Sequence, residues 1–557
     1  MRKILSFSFV VISLAALMLF SSCQKDEVLV TRFDATIAGF SNDTKTVLDG
    51  QTLKLYWVPG DQIKVFGQGN SYGIYESTDP AETSPFELYS DNAGEGPYRA
   101  IYPASCADNQ GHLVLPQTQN STDGSLTEYP MYAKTSDVQS TSLTFNNLCG
   151  VICFNLTKAN VTVSSIEVTT EHQMTGTFDI SENLRLINGS SGTNSVTLMC
   201  STPQNISSQK SFYLYLPPND YKTMIIKIYT TDGHMCTKTL NAGSTFAVVP
   251  GGVNYITLVG NNLDFSLVPG ELMGKFSIGA NQKVRFSSGN LQYSTRGTHA
   301  VADGGTAIGT WRFAPNQFDY IGTGNNNISS SYRDWIDLFG WGTSGWNSQA
   351  NSSAYYYYQP YNYEGLSGLF YGPGNHDLTG NYKYADWAVY NAISNGGNMP
   401  EKWRTLTSDE WVYLLRIRDN ASNKCGVGNI NGVGGMFLLP DNWNNPDPDN
   451  IKFTPGFSDS DQDFSLNTYS LQKWLMLEAS GVVFLPAAGY RSGQNVAPLA
   501  VGNQGYYQSV SVSGSYNAFY YFYFSSRHDV NPTISVENRS RGLSVRPVRD
   551  VTTQNQN

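Results

Sequence analysis

The feature that most limits the fold of this chain is a series of short segments in which apolar and polar residues alternate, separated by turns rich in glycine and proline. Segments 53–57, 63–66, 151–156 and 224–229 have this character, and turn residues such as Pro59-Gly60-Asp61 lie between them. Period-two alternation is typical of strands, and no long helical period appears before residue 262. The pattern predicts two β-sandwich domains, over residues 31–148 and 149–262.

Length and charge set two further limits. A chain of 557 residues is too long for one hydrophobic core, so several domains are expected. The formal net charge is -10, and no basic stripe is present that would neutralise phosphates. We therefore expect no nucleic-acid partner, and the charge itself indicates ordinary solubility.

The composition changes after a predicted linker at 261–270, since nine of the ten tryptophans follow it. Helices are predicted here from local signals. Thr407 and Glu410 form a capping box, Asp386 precedes an apolar segment at 387–393, and residues 471–479 have amphipathic spacing. Short strands are predicted between them, at 482–485 and 543–546. The expected fold is mainly β in the first half, followed by an α+β domain over 263–557.

The N-terminus predicts export. Arg2 and Lys3 precede an uncharged apolar stretch at 4–20, and Ser21-Ser22-Cys23 follows. This arrangement resembles a bacterial lipoprotein signal, which implies a signal peptide over 1–22, lipidation of Cys23 and a tether over 23–30. The sequence Gln24-Lys25-Asp26-Glu27 is similar to tags that direct lipoproteins to the outer face of the outer membrane. A plain signal peptide or a single membrane anchor is the alternative, although the stretch is short for a span.

Six cysteines remain beyond Cys23, and none of them lies in a C-x-x-C pair or beside a histidine ladder. A zinc site is therefore not expected. Cys149 and Cys153 lie too far apart along one predicted strand for a direct disulfide. A bond between Cys200 and Cys236 is open, and buried free thiols are the expectation.

Four motifs of the first half resemble the fimbrillin family, the subunits of type V pili. They are Thr44-Lys45-Thr46, the segment 57–66, the segment 98–103 and the segment 143–150. The resemblance implies export as a lipoprotein, cleavage after an arginine, release of a first strand, and assembly with other pilus subunits by donor-strand exchange. Arg32 is the candidate cleavage site, and an ordinary solvated linker residue is the alternative.

Residues 274–549 resemble a C-type-lectin-like surface domain, distantly related to the formylglycine-generating enzyme fold. The motifs are those at 283–293, 311–314, 335–342, 403–411, 485–490 and 542–549. Most tryptophans in these motifs are expected to be packing groups of the core.

Within that domain, residues 505–541 resemble the variable region of proteins diversified by retroelement-guided mutagenesis. Tyrosine supplies large, rigid contact area, as in antibody binding sites. We therefore predict contacts with an extracellular protein or glycan for Tyr507, Val510, Tyr516, Tyr520, Tyr521, Tyr523, Arg527, His528, Thr533, Ile534, Val536 and Arg541. The alternative is that 519–524 is a plain strand, and in either case Phe522 and Phe524 are expected to face a core.

No signature of catalysis appears in the sequence, which lacks a nucleophile elbow, a phosphate loop and an H-E-x-x-H motif. The redox cysteine pair that formylglycine generation requires is missing, because the second half contains only Cys425. Asp459 to Asp463 resembles the start of a calcium loop, but Phe464 occupies the glycine position of an EF-hand, so a solvated acidic loop is expected. We predict neither enzymatic activity, nor a cofactor, nor a bound metal.

These observations predict a lipid-anchored outer-membrane adhesin, placed at a pilus tip because a globular domain occupies the C-terminal region. The alternative is a receptor or carbohydrate-capture lipoprotein that does not polymerise.

Overall fold

The computed structural model describes residues 30–38, 56–122, 125–126, 128–260, 263–327, 332–346, 376–460, 462–493, 495–514, 518–527, 536–539 and 541–551. The chain is mainly β, as the alternating pattern predicted. The predicted signal peptide, Cys23 and the Thr44-Lys45-Thr46 motif lie outside the described residues. Within them, no helix is long and apolar enough to cross a membrane.

The first part of the chain forms a closed barrel of seven strands rather than the predicted sandwich. Its strands, in the order β1-β10-β9-β5-β2-β3-β4, are β1 (Arg32–Ile37), β10 (Ser142–Asn147), β9 (Met131–Lys134), β5 (Arg99–Tyr102), β2 (Gln62–Phe66), β3 (Tyr72–Ser77) and β4 (Thr83–Asp91). The barrel closes because β1 pairs in parallel with β10 and antiparallel with β4. Closure leaves no open edge, which is why a barrel replaces two facing sheets here.

Strand β1 also supplies the centre of the barrel core. Its alternation places Phe33 and Ala35 inside, both fully buried. The Phe33 ring lies edge-on to Tyr75 and Tyr98, with ring centroids 4.7 and 4.9 Å away. The indole of Trp57 donates a 2.9 Å hydrogen bond to the Ala35 carbonyl. Strand pairing and aromatic packing therefore both hold β1 in place.

The following segment packs two sheets face to face. The smaller contains β16 (Lys210–Leu216), β11 (Gly150–Thr157) and β19 (Val253–Val259), in that order. The larger has the order β18 (Met235–Val248), β17 (Asn219–Thr230), β12 (Thr162–Thr170), β15 (Ser195–Asn205), β7 (Thr118–Thr122) and β8 (Ser125–Leu126). Buried side chains such as Ile152, Phe154 and Ile226 fill the space between them.

Strands from the first predicted domain take part in the second one. Besides β7 and β8, strand β6 (Leu113–Leu115) pairs with β13 (Gly176–Ile180), which pairs with β14 (Leu186–Ser190). Strands β6 and β7, which precede the predicted boundary at 148, therefore pair with strands that follow it.

The C-terminal half consists of five small sheets. They are β20 (Phe276–Gly279), β21 (Gln282–Phe286) and β33 (Val548–Asp550); β22 (Leu291–Ala300) and β23 (Thr306–Phe313); β26 (Thr468–Tyr469), β24 (Cys425–Ile430), β25 (Val433–Leu438) and β27 (Val483–Pro486); β28 (Arg491–Ser492) and β29 (Asn495–Val496); and β30 (Gln504–Val512), β31 (Ala518–Ser525) and β32 (Val536–Asn538). The predicted strand at 543–546 is instead a set of isolated bridges, from Gly542, Leu543 and Ser544.

In the described part of the C-terminal half, three α-helices accompany these sheets, each where local signals predicted one. They are α1 (Trp387–Tyr390), capped by Asp386; α2 (Ser408–Val412), with the Thr407–Glu410 capping box; and α3 (Leu471–Ala479). A single π-helical turn, Tyr413–Ile417, continues α2. Helix α3 packs against β17 and β18 of the larger sheet, so it joins the two halves of the molecule.

Two predictions about burial are confirmed. Six of the nine C-terminal tryptophans have almost no exposed surface, namely Trp311, Trp341, Trp387, Trp403, Trp411 and Trp474. All six cysteines from Cys106 to Cys425 are free and buried. The open pairing of Cys200 with Cys236 is therefore absent among these described residues.

Candidate functional site

Strands β30 and β31, which contain most of the predicted binding residues, run between two hydrophobic cores. On one face, Tyr507, Phe522 and Phe524 are fully buried in the same core cluster. Gly505 makes this packing possible, because a Cβ there would lie 2.1 Å from the ring of Phe524. The expectation that Phe522 and Phe524 are core residues is confirmed.

The other face of the strand pair packs on a second core, which contains Val510, Phe519 and Tyr521. The backbone of β30 is also held by indole N–H groups. Trp341 donates to the Ser509 carbonyl at 2.9 Å, and Trp411 donates to the Gln508 carbonyl at 3.3 Å. The strand pair is therefore a fixed support for any group at its margin.

A group of partly exposed rings lies at one end of this second face. The tyrosine cluster consists of Tyr490, Tyr506, Tyr523 and Arg541, all half-buried, above the buried ring of Tyr521. Ring centroids of Tyr506 lie 4.8 Å from Tyr490, 5.0 Å from Tyr523 and 5.7 Å from Tyr521. The Arg541 guanidinium lies 4.8 Å from the centre of the Tyr490 ring, a cation–π arrangement.

The electrostatics of the cluster favour the neutral form of the Tyr506 phenol. Burial raises the pKa of Tyr506, the neighbouring tyrosines raise it further, and Arg541 only partly opposes them. The Tyr506 hydroxyl donates a 2.8 Å hydrogen bond to the Gln504 side chain. The cluster therefore presents phenol rings and one guanidinium, groups that are frequent in recognition surfaces.

Three predicted contact residues are corrected by their burial. Tyr507 is 0% exposed, Val510 is 1% exposed and Tyr521 is 5% exposed. None of them offers surface to a partner, because both faces of the strand pair are covered by cores. Their role is to pack the support.

Of the other predicted contact residues, some have a described position and the rest lie outside the described ranges. Among the described side chains, Tyr520, Tyr523 and Arg541 are half-buried, and Arg527 is exposed directly after β31. Only Tyr523 and Arg541 belong to the cluster. Val536 pairs with Tyr520 through the backbone of β32. Tyr516, His528, Thr533 and Ile534 lie outside the described residues, so their predicted role stays a prediction.

Tyr490 and Tyr506 were not predicted as contact residues. For Tyr506 the alternation of β30 contained the signal, because Tyr506 and Tyr507 must face opposite sides of one strand. Tyr490 lies outside the segment that resembles a variable region, and its approach to Tyr506 is a tertiary contact.

Arg32, the predicted cleavage site, is the first residue of β1. Its side chain is 56% exposed and forms a 2.9 Å ion pair with Asp34. Cleavage after Arg32 would leave Phe33 to Ile37 in the barrel, so this cut would not by itself release β1.

A metal centre has no support in the described ranges, where no group of three His, Cys, Asp or Glu side chains is positioned to hold an ion. Asp461, within the acidic loop that resembles a calcium site, lies outside those ranges.

No family model matches the sequence, and no curated protein is similar to it. Similar solved structures include a putative cell adhesion protein from Bacteroides ovatus, 15% identical, covering 42% of this chain and 92% of that chain with a TM-score of 0.29. The tip fimbrial protein Mfa3 from Porphyromonas gingivalis is 9% identical over 42% of this chain and 97% of that chain, with a TM-score of 0.22. A fimbrial protein from Bacteroides ovatus is 10% identical over 94% of this chain and 99% of that chain, with a TM-score of 0.20. Scores this low do not decide the fold or role of this chain.

Proposed function

We infer that the chain is a cell-surface adhesin whose tyrosine cluster contacts an extracellular protein or glycan. The single observation that carries this proposal is the grouping of Tyr490, Tyr506, Tyr523 and Arg541 at the margin of a strand pair locked between two cores. Rigid aromatic groups lose little conformational entropy on binding, which makes such a cluster an efficient contact surface. The proposed role is binding without catalysis.

The proposed attachment to the cell surface is based on the N-terminal signal and on the resemblance of the first half to fimbrillins. A lipoprotein signal with Cys23 would attach the protein to the outer membrane, and the resemblance of the first half to fimbrillins favours assembly with pilus subunits. A position at the pilus tip is part of the same proposal. Strand β33 pairs with β21 through Val284–Asp550 and Phe286–Val548, so this strand is engaged in its own sheet.

The lectin-like and diversified character of the C-terminal half belongs to the same proposal. Deep-sequencing the gene across isolates should show substitutions concentrated at the partly exposed positions of 505–541, while Tyr507, Phe522 and Phe524 stay apolar or aromatic. Substitutions spread evenly over the domain would contradict it.

The adhesion proposal is tested with beads that carry the full chain, applied to arrays of extracellular-matrix proteins and mucin glycans. The double variant Tyr506→Ala, Tyr523→Ala should reduce retention on the bound targets tenfold or more, because it removes two central rings. Tyr89→Ala is the matched control, since Tyr89 is 62% exposed on the barrel. Equal losses for both variants, or no loss for either, would refute a binding role for the cluster.

Pilus assembly is tested separately by shearing cells and probing the sheared fibres for the chain. A tip subunit should co-purify with the fibres in low copy number. A chain that stays entirely with the membrane fraction would instead support the non-polymerising receptor.

A further inference from the structure

We propose that the C-terminal half contains a second binding site, a groove for a short oligosaccharide that is separate from the tyrosine cluster. One wall of this groove is the turn Ala421–Asn423 with its neighbours Asn420 and Lys424. The other wall is the irregular segment from Leu439 to Pro455. The groove is open to solvent, and its volume of about 680 Å³ is in the range of small-molecule sites in proteins. We call it the Trp443 groove.

The groove has an aromatic wall of fixed orientation. The half-buried Trp443 donates a 2.9 Å hydrogen bond from its indole to the Ser480 hydroxyl. The Phe453 ring stands behind it, with centroids 6.2 Å apart and planes at 64°. An indole held in this way offers an apolar face with a polar margin, the surface that the C–H face of a sugar ring requires.

Two amide side chains line the same groove as that ring. Asn420 and Asn423 are exposed, and their side chains make no hydrogen bond within the described part of the chain. Each amide can donate and accept at the same time. Sugar hydroxyls also do both, so a groove lined by two unengaged amides and an indole matches a saccharide better than a purely apolar ligand.

Two lysines add donors to the same lining. The Lys424 ammonium donates to the Asp441 carbonyl at 2.9 Å, and the Lys452 ammonium donates to the Pro448 carbonyl. An ammonium has three N–H groups, so each lysine keeps donors for a ligand hydroxyl or carboxylate. The site can therefore accept both neutral and carboxylated sugars.

The walls are preformed because Asp441 anchors the irregular segment. Its carboxylate accepts from the Ser277 hydroxyl at 2.7 Å and pairs with Lys283 at 2.9 Å and Arg418 at 3.3 Å. Further along, Lys473 donates to the Asn450 carbonyl and Asn445 donates to the Ile451 carbonyl, both at 2.8 Å. A preorganised groove needs little ordering when a ligand binds.

A glycan array probed with the full chain tests this proposal, using neutral oligosaccharides on one set of spots and uronic-acid and sialylated glycans on the other. Asn423→Ala should weaken binding at the positive spots by at least tenfold, and Trp443→Ala should abolish it. Asn423→Ala is informative even if the tryptophan variant folds poorly, since the Asn423 side chain is exposed. Binding confined to the carboxylated spots would assign the lysines to the ligand carboxylate.

Asn442→Ala is the matched control, because Asn442 is an exposed neighbour of Trp443 that does not line the groove. It should bind glycans like the unchanged chain. The variant Tyr506→Ala, Tyr523→Ala should keep binding at the spots where Asn423→Ala weakens it, which separates failure of the groove from failure of the tyrosine cluster. Absence of any glycan binding, or binding that survives both Asn423→Ala and Trp443→Ala, would overturn the proposal.

Discussion

The two halves of the molecule bury polar groups in different ways. Among the described residues before 261, Lys64 is the only charged side chain in the buried class, and the other buried polar groups are Ser, Thr, Asn or Gln. The C-terminal half buries many more charges, namely Glu271, Arg285, Asp337, Asp386, Arg418, Arg491, Arg539 and Arg546.

The reason lies in the length of the strands. Strands β17 and β18 run for 12 and 14 residues, and their backbone groups pair along a long ladder with a single register shift, between Tyr221 and Thr223. Several C-terminal strands have only two to four residues, and the loops between them need side-chain partners. Asp337, for example, accepts from the Ile321 backbone and from Asn325, while Asn325 accepts from the Asp337 and Leu338 backbones.

The comparison teaches that the two halves are stabilised by different kinds of buried groups. The core of the barrel is almost entirely apolar, whereas the C-terminal half also buries charged side chains whose hydrogen bonds hold its loops. Each of the following predictions tests one of these two sources of stability.

The largest effect is expected in the barrel. Phe33→Ala removes a fully buried ring that contacts Tyr75 and Tyr98, and should lower the free energy of unfolding by about 3–5 kcal/mol. Urea denaturation followed by circular dichroism measures it. Tyr89→Ala, on the exposed side of the neighbouring strand β4, should change stability by less than about 0.5 kcal/mol. A small loss for Phe33→Ala would show that β1 does not hold the barrel closed.

The second effect is a pH dependence that belongs to the C-terminal half. Burial raises the pKa of Asp337 to about 6 and that of Asp386 to about 6, against hydrogen bonds that lower it. Between about pH 4 and pH 6, these two carboxyl groups therefore stay protonated in the folded state but are ionised in the unfolded state. Each acid should reduce stability by about 2–3 kcal/mol as the pH rises from about 4 to about 6, with no further loss above that.

Tryptophan fluorescence during urea unfolding at several pH values measures this dependence, since nine of the ten tryptophans report on the C-terminal half. Asp337→Asn provides the control, because it removes one titrating group and should flatten the profile. A profile that this substitution leaves unchanged would assign the dependence to other groups.

The smallest effect concerns the capping box of α2. Thr407 accepts from the Glu410 backbone at 3.1 Å, and Glu410 accepts from the Thr407 backbone at 2.8 Å. Thr407→Ala should cost about 1 kcal/mol in the same fluorescence assay, while Thr407→Ser keeps the hydroxyl and most of that stability. Equal losses for both variants would mean that the methyl group, rather than the cap, matters.

Local signals predicted the elements better than their assembly. The cap at Asp386 and the span of α3 follow from neighbouring residues alone, and both are found where expected. The closed barrel could not be predicted in this way, because it depends on β1 pairing in parallel with a strand more than a hundred residues later, as in Ala35 with Leu143. Such a pairing leaves no short-range pattern.

The residues of the candidate site were also only partly predictable from short-range sequence patterns. The aromatic content of 505–541 indicated a special segment, but composition does not distinguish Tyr506, in the cluster, from Tyr507, in the core. Alternation separates their faces without telling which face meets solvent, and here both faces of the strand pair are largely covered.

The sequence by itself determined the strand-rich character, the helix caps and the residues able to fill a core, because these depend on short-range periodicity and side-chain chemistry. Only the tertiary structure decided that the first strand closes a barrel, that Tyr490 joins Tyr506, and that Asn423 faces the same groove as Trp443. Each of those contacts joins residues distant in sequence, and their free energy depends on packing that no single segment contains.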